Sequence, residues 1–196
     1  MTKKTIQKPE NWEDFESLCK KLWGEIFEIP NEIKKNGRSG QKQQGVDIIG
    51  MPKGENYYVG IQCKGKDEYA HKKLTEKEVN REIQLAKGFK PQLGKFIIAT
   101  TANKDAVIEE YIRLKDQENE FKILLFCWED IADLIEENRN THDYYVKNLM
   151  HKSNFGFSIL YNKLESNITL EPLLARMTTT YFHIVKTTEQ VLSEVQ

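Results

Sequence analysis

The sequence predicts an α/β fold, a central mixed β-sheet flanked by helices, and three observations carry that expectation. Helical and extended hydrophobic patterns alternate along the chain. Two extended segments, Phe96-Ile97-Ile98-Ala99 and Phe121 to Cys127, are continuously apolar, as strands covered on both faces are. An earlier pair of extended segments is separated by a turn short enough to close a β-hairpin.

The first helix is expected from about Asn11 to Phe27, where Trp12, Phe15, Leu18, Cys19, Leu22, Trp23 and Ile26 recur at helical spacing and Pro30 stops the chain. At about 100° per residue these positions fill one arc, and Glu16 falls at its edge, beside Trp23. It is the acid best placed to reach inward. Val46-Asp47-Ile48-Ile49 reads as a strand, Pro52 to Asn56 as a turn and Tyr57 to Lys64 as the return strand. Thr75 and Glu78 have capping-box spacing and open a helix through Val79, Ile83 and Ala86, closed by Gly88 and Pro91. A buried strand follows over Lys95 to Thr101, a helix capped by Asp105 reaches about Asn119, Phe121 to Cys127 is a second buried strand, and Glu129-Asp130-Ile131 starts a short acidic helix ending near Asn138.

These elements make one domain over residues 1–150, and 151–196 reads as a helical extension. Within it Leu170, Leu174, Met177, Tyr181, Ile184, Thr188, Val191 and Val195 are spaced alternately by four and three, a heptad seam interrupted at Thr188. Such a seam packs on its own domain, pairs chains as a homodimer or higher oligomer, or leads into a further region.

With 196 residues and 39% hydrophobic content the chain is long enough for one core and an appendage. Its 29 basic and 30 acidic residues nearly cancel, so net charge excludes no partner and the local distribution matters more. Lys34, Lys35, Arg38 and Lys42 form a basic run without acids, a candidate phosphate surface, whereas Glu129 to Glu137 holds five acids and no base. Cys19, Cys63 and Cys127 lie far apart, which argues against a zinc site or disulfide framework and fits a reducing cytoplasm. The longest apolar run, Ile123 to Trp128, is six residues, so no membrane span is expected.

The chemistry-bearing pattern lies on the hairpin. Asp47 is an acid inside an apolar strand, where an unpaired charge costs several kcal/mol, so a metal or a base is expected beside it. Gln62 and Lys64 are two apart, share one face of the return strand, and leave Cys63 on the other. Folding about Lys53-Gly54 places Asp47 opposite Gly60, give or take a bulge, and crowds Asp47, Gln62 and Lys64 together. A carboxylate to hold a cation, an amide oxygen and a lysine able to orient or deprotonate water are the parts that phosphodiester hydrolysis needs. Arg38, Gln41, Lys42 and Gln43, in the polar approach loop, are candidate contacts to phosphate oxygens or base edges.

Trp12-Glu13-Asp14-Phe15-Glu16, the run from Gly40 to Ile48, Gly60-Ile61-Gln62-Cys63-Lys64 and the Phe96 to Thr101 strand together resemble the restriction-endonuclease-like nucleases of the PD-(D/E)xK type. The likeness is to their Mrr-like branch, in which Gln replaces the second acid, and spans roughly residues 10 to 138. The chain also looks like nuclease modules at the N-termini of bacterial anti-phage defence proteins, whose other regions sense or oligomerise. The resemblance implies a restriction-endonuclease-like core that cleaves DNA with Mg²⁺ or Mn²⁺. Asp47 would bind the metal, Gln62 would stand in for the acid, Lys64 would activate water, Glu16 would add a carboxylate and the Cys63 backbone carbonyl a further ligand. Val46 stands where the motif has Pro and removes no chemical group, whereas a neutral Gln62 weakens the metal set and makes activity depend on Glu16. The alternative is a catalytically silent nucleic-acid-binding or interaction module that keeps the fold.

Overall fold

The computed structural model describes residues 6–37, 44–65 and 73–149. The extension from 151 with its heptad seam, and Arg38, Gln41, Lys42 and Gln43, lie outside the described residues. The elements are α1 (Trp12–Ile26), β1 (Lys34–Lys35), β2 (Ile48–Gly50), β3 (Tyr58–Lys64), α2 (Glu76–Lys87), β4 (Leu93–Thr100), α3 (Ala106–Gln117), β5 (Lys122–Phe126), α4 (Trp128–Glu137) and α5 (Arg139–Asn148).

The sheet runs β1-β2-β3-β4-β5, with β1/β2 and β2/β3 antiparallel and β3/β4 and β4/β5 parallel. It is the mixed sheet expected, with an edge strand added. β1 pairs Lys34 and Lys35 with Ile49 and Ile48, two exposed lysines that carry no hydrophobic alternation to betray a strand. α5 was likewise illegible as a separate helix. Asn138 at ψ 98 breaks the chain between α4 and α5, and Glu25 of α1 supplies the acceptors for α5's first turn, bonding the backbone N–H of Asn140 at 3.1 Å and of Thr141 at 2.7 Å.

Local chemistry sets the other boundaries. Asn11 caps α1 through the Asp14 N–H, and the helix ends before Pro30 because Glu28 turns left-handed, with φ 57°. Thr75 and Glu78 form the reciprocal capping box at the head of α2. The hairpin turn is closed by Glu55 N–H on the Pro52 carbonyl at 3.0 Å, with Gly54 at φ 81°.

Alternation along β3 and β4 divides the core. Phe96 and Ile98 face α2 and α3, packing with Val79, Ile83, Ile108, Ile112 and Ile123. Cys63 faces α1, where it meets Cys19. Phe15 of α1 meets Trp128 at a tilt and Trp23 meets Phe126 edge to face, at centroid distances of 6.4 and 5.6 Å. Helices therefore cover both faces, and the C-terminal ends of β3 and β4 open beside the start of β2.

Candidate active site

Asp47 sits one residue before β2, not inside the strand. The ladder pairs Ile48 with Ile61 and Ile49 with Gly60, so Asp47 stands just beyond the Ile61 pair, beside Gln62 and Cys63, not opposite Gly60 as the turn length suggests. Its backbone is pinned from both sides: its N–H donates to the Ile61 carbonyl at 2.9 Å and its carbonyl accepts from Asn36 N–H at 2.7 Å. Gly60 leaves room for Val46, the residue before Asp47, and for Leu93. A Cβ there would come within 2.7 Å of Leu93 Cδ1 and 3.1 Å of Val46 Cγ2.

β4 takes up the backbone groups of Lys64, whose carbonyl accepts from Thr101 N–H at 3.1 Å and from the Thr100 hydroxyl at 3.0 Å. Backbone groups alternate along a strand, so those of Cys63 point the other way, to the β2 side. There the Cys63 N–H donates to Asp47 Oδ2 at 2.7 Å, and the Gln62 amide nitrogen donates to the same oxygen at 2.5 Å and to the Cys63 carbonyl at 3.3 Å.

Lys64 does not pair with Asp47. Its ammonium binds Glu82 Oε1 of α2 at 2.8 Å, and the Glu82 side chain is only 8% exposed. Glu82 escaped the sequence reading although Val79, Glu82, Ile83 and Ala86 lie on one helical arc, the same signal that singled out Glu16. Glu16 is buried on α1, on the opposite face of the sheet, and its Oε1 lies 3.3 Å from the Lys35 ammonium. Lys35, read from the basic run as a phosphate contact, thus neutralises an acid.

The charges leave Asp47 exceptional. Glu16 has Lys35 and Glu82 has Lys64, while Asp47 has only neutral donors at hydrogen-bonding distance among the described residues. Burial pushes its carboxyl up to about 6, and the nearby charges of Glu16 and Glu82 push the same way against the Cys63 N–H and Lys64. A carboxylate so placed is short of positive charge, which a divalent cation would supply. Among the described residues no three His, Cys, Asp or Glu side chains converge as a ready metal cluster. The groups that could hold one are of mixed kind: Asp47, Glu16, the Cys63 carbonyl and Gln62, whose amide would have to turn over to present its oxygen. These residues fit a hard, oxygen-seeking cation such as Mg²⁺ or Mn²⁺.

A family model described as restriction endonuclease, Mrr_cat_2, matches residues 16–145, a span that takes in Glu16, Asp47, Gln62, Lys64 and Glu82. No curated protein matches the chain, and no solved structure does. No helix among the described residues is long and apolar enough to cross a membrane.

Proposed function

The chain belongs to this Mrr-like restriction endonuclease family, and on that premise we propose that it is a divalent-metal-dependent endonuclease that hydrolyses phosphodiester bonds of DNA at Asp47, Gln62, Lys64 and Glu16. The observation that carries the reading is the state of Asp47: a buried carboxylate near the charges of two further acids and held, among the described residues, only by neutral donors. Asp47, Glu16, Gln62 and the Cys63 carbonyl would hold the cation. Bound there, Mg²⁺ or Mn²⁺ offsets the negative charge that gathers on the phosphate in the transition state.

The protein's own groups do the rest. Lys64, 27% exposed at the end of β3, presents an ammonium that can hold a water or a phosphate oxygen at the mouth. The Cys63 N–H and the pinned backbone fix Asp47, so little reorganisation is needed when substrate arrives. Arg38, Gln41, Lys42 and Gln43 are proposed to meet the DNA backbone and base edges. The family premise extends the proposal to double-stranded DNA, to defence of a bacterial cytoplasm against foreign DNA, and to a homodimer or higher oligomer, since two strands require two sites. A sensor or NTPase region, or such a partner, would fit a regulated effector.

One observation favours the rival reading of a silent nucleic-acid-binding module: the Gln62 amide donates to Asp47, satisfying the carboxylate without a metal. Plasmid incubated with purified protein and Mg²⁺, with EDTA as control, separates the two. The proposal expects nicking or linearisation that stops with EDTA and in Lys64→Ala; cutting that survives both rules out the assigned site.

A further inference from the structure

Glu82 is buried on α2 with its carboxylate spanning two parts of the site. Oε1 holds the Lys64 ammonium at 2.8 Å. Oε2 lies over the bare Cα of Gly45, where a Cβ would stand 3.2 Å from it and 2.8 Å from Leu85 Cβ. Gly45 has φ +69°, so the end of the approach loop is seated on α2 in a conformation that glycine adopts freely. A buried carboxylate is costly unless it is paired, and the whole of this one's pairing among the described residues goes to Lys64.

Lysine has a long, flexible stem and no fixed fork to aim it. Among the described residues this ammonium is paired with Glu82 of α2, and its charge also acts on Asp47, as do those of Glu16 and Glu82. An ammonium free to swing would be drawn to Asp47, the acid that has no cation partner among the described residues. We propose that Glu82 is the positioning residue of the site: it fixes the direction of the Lys64 ammonium and keeps it off Asp47, leaving that carboxylate open to the metal. This rests on the nuclease reading of the site. Glu82 itself touches neither metal nor substrate in this role. It acts through Lys64.

Two readouts test it on the full chain. The first needs no activity: the ¹⁵N-detected side-chain ammonium signal of Lys64, assigned with Lys64→Arg, should be resolved in the metal-free protein because the ion pair shelters its protons from exchange. It should vanish in Glu82→Leu, which keeps the helix face filled, and persist weakened in Glu82→Gln, which keeps an acceptor. The second is single-turnover DNA cleavage in Mg²⁺. The Leu variant should lose about 10²-fold in rate, the scale expected when a catalytic group is misplaced by about an ångström. KM should stay within about twofold, and Gln should recover most of the loss.

A Lys64 signal that survives in Glu82→Leu overturns the proposal. So does a signal lost while cleavage continues at the wild-type rate. Should the Leu variant fail to fold, the Gln variant decides: an unweakened signal with an unchanged rate is equally fatal. Wild-type protein that shows the Glu82-dependent signal yet cuts no DNA in Mg²⁺ or Mn²⁺ overturns the nuclease reading and with it the catalytic use of Glu82, while the ion pair itself stands.

Discussion

Replacing Asp47 by Asn removes a charge and keeps the shape, and the metal-free protein should become more stable at neutral pH. Among the described residues the donors that reach the carboxylate, Gln62 Nε2 and Cys63 N–H, land on the same oxygen, Oδ2, so an asparagine oxygen can accept both. What disappears is the cost of ionising a buried group. Asp47 ionises at about 6 in the folded chain against an ordinary 3.8. Between those values the folded state holds a proton that the unfolded chain has released, so wild-type stability falls as pH rises through that window and stays lowered above it. At roughly 1.4 kcal/mol per tenfold the full cost is about 3 kcal/mol, or roughly 6–12 °C in Tm for a chain of this size. Thermal unfolding in EDTA, followed by circular dichroism at pH 8 and pH 4, measures it. The Asn variant should melt higher at pH 8, and the gap should close by pH 4. Mg²⁺ should raise the wild-type Tm and leave the variant unmoved, because only a ligand that binds the folded state stabilises it. An Asn variant that melts lower at pH 8, by the same margin as at pH 4, would refute the claim that Asp47 is a strained, cation-seeking charge.

Lys64→Ala should destabilise the metal-free protein at neutral pH by about 1–3 kcal/mol, because it strands Glu82 as an unpaired buried carboxylate; denaturant unfolding measures the deficit. Gly45→Ala should cost about 1–3 kcal/mol, through strain at φ +69° and the 2.8 Å approach to Leu85 Cβ, and the same unfolding curves would register it. Glu25→Ala should cost about 0.5–2 kcal/mol by uncapping α5, since Glu25 accepts from Thr141 N–H and hydroxyl, both at 2.7 Å. Desolvation raises the Glu25 carboxyl, but the bonds from Thr141 and Asn140 outweigh it and leave it below the ordinary 4.5. Its contribution is therefore present above that value and lost as pH falls through the lowered one, so wild type and Glu25→Ala should converge in acid unfolding.

The fold was legible wherever a hydrophobic period marked an element. The apolar arcs of α1 and α2 and the continuous runs of β4 and β5 each announced themselves, and the turn residues 52–56 placed the hairpin. β1 was not legible because Lys34 and Lys35 gain their pairing from β2 and bury nothing. Nor was the register, since nothing in the sequence shows that Asp47 stops short of β2, just beyond the Ile48–Ile61 pair. In the site, an acid in an apolar strand and a Gln-x-Lys pair on one face could be read directly. Which lysine meets which acid could not: Lys35 with Glu16 and Lys64 with Glu82 are long-range pairings set by where α1 and α2 dock. Glu82 lay in plain view on the α2 arc, but only its partner at the end of β3 marks it as part of the site.

The proposed chemistry meets its sharpest test in plasmid cleavage by wild type and Asp47→Asn side by side at pH 8 in Mg²⁺, with both proteins shown to be folded. Wild type should nick or linearise the plasmid, while the asparagine protein, the more stable of the two in EDTA, should leave it intact. Equal cutting by the two would contradict the account, for it would remove from the reaction the carboxylate on which the metal site depends.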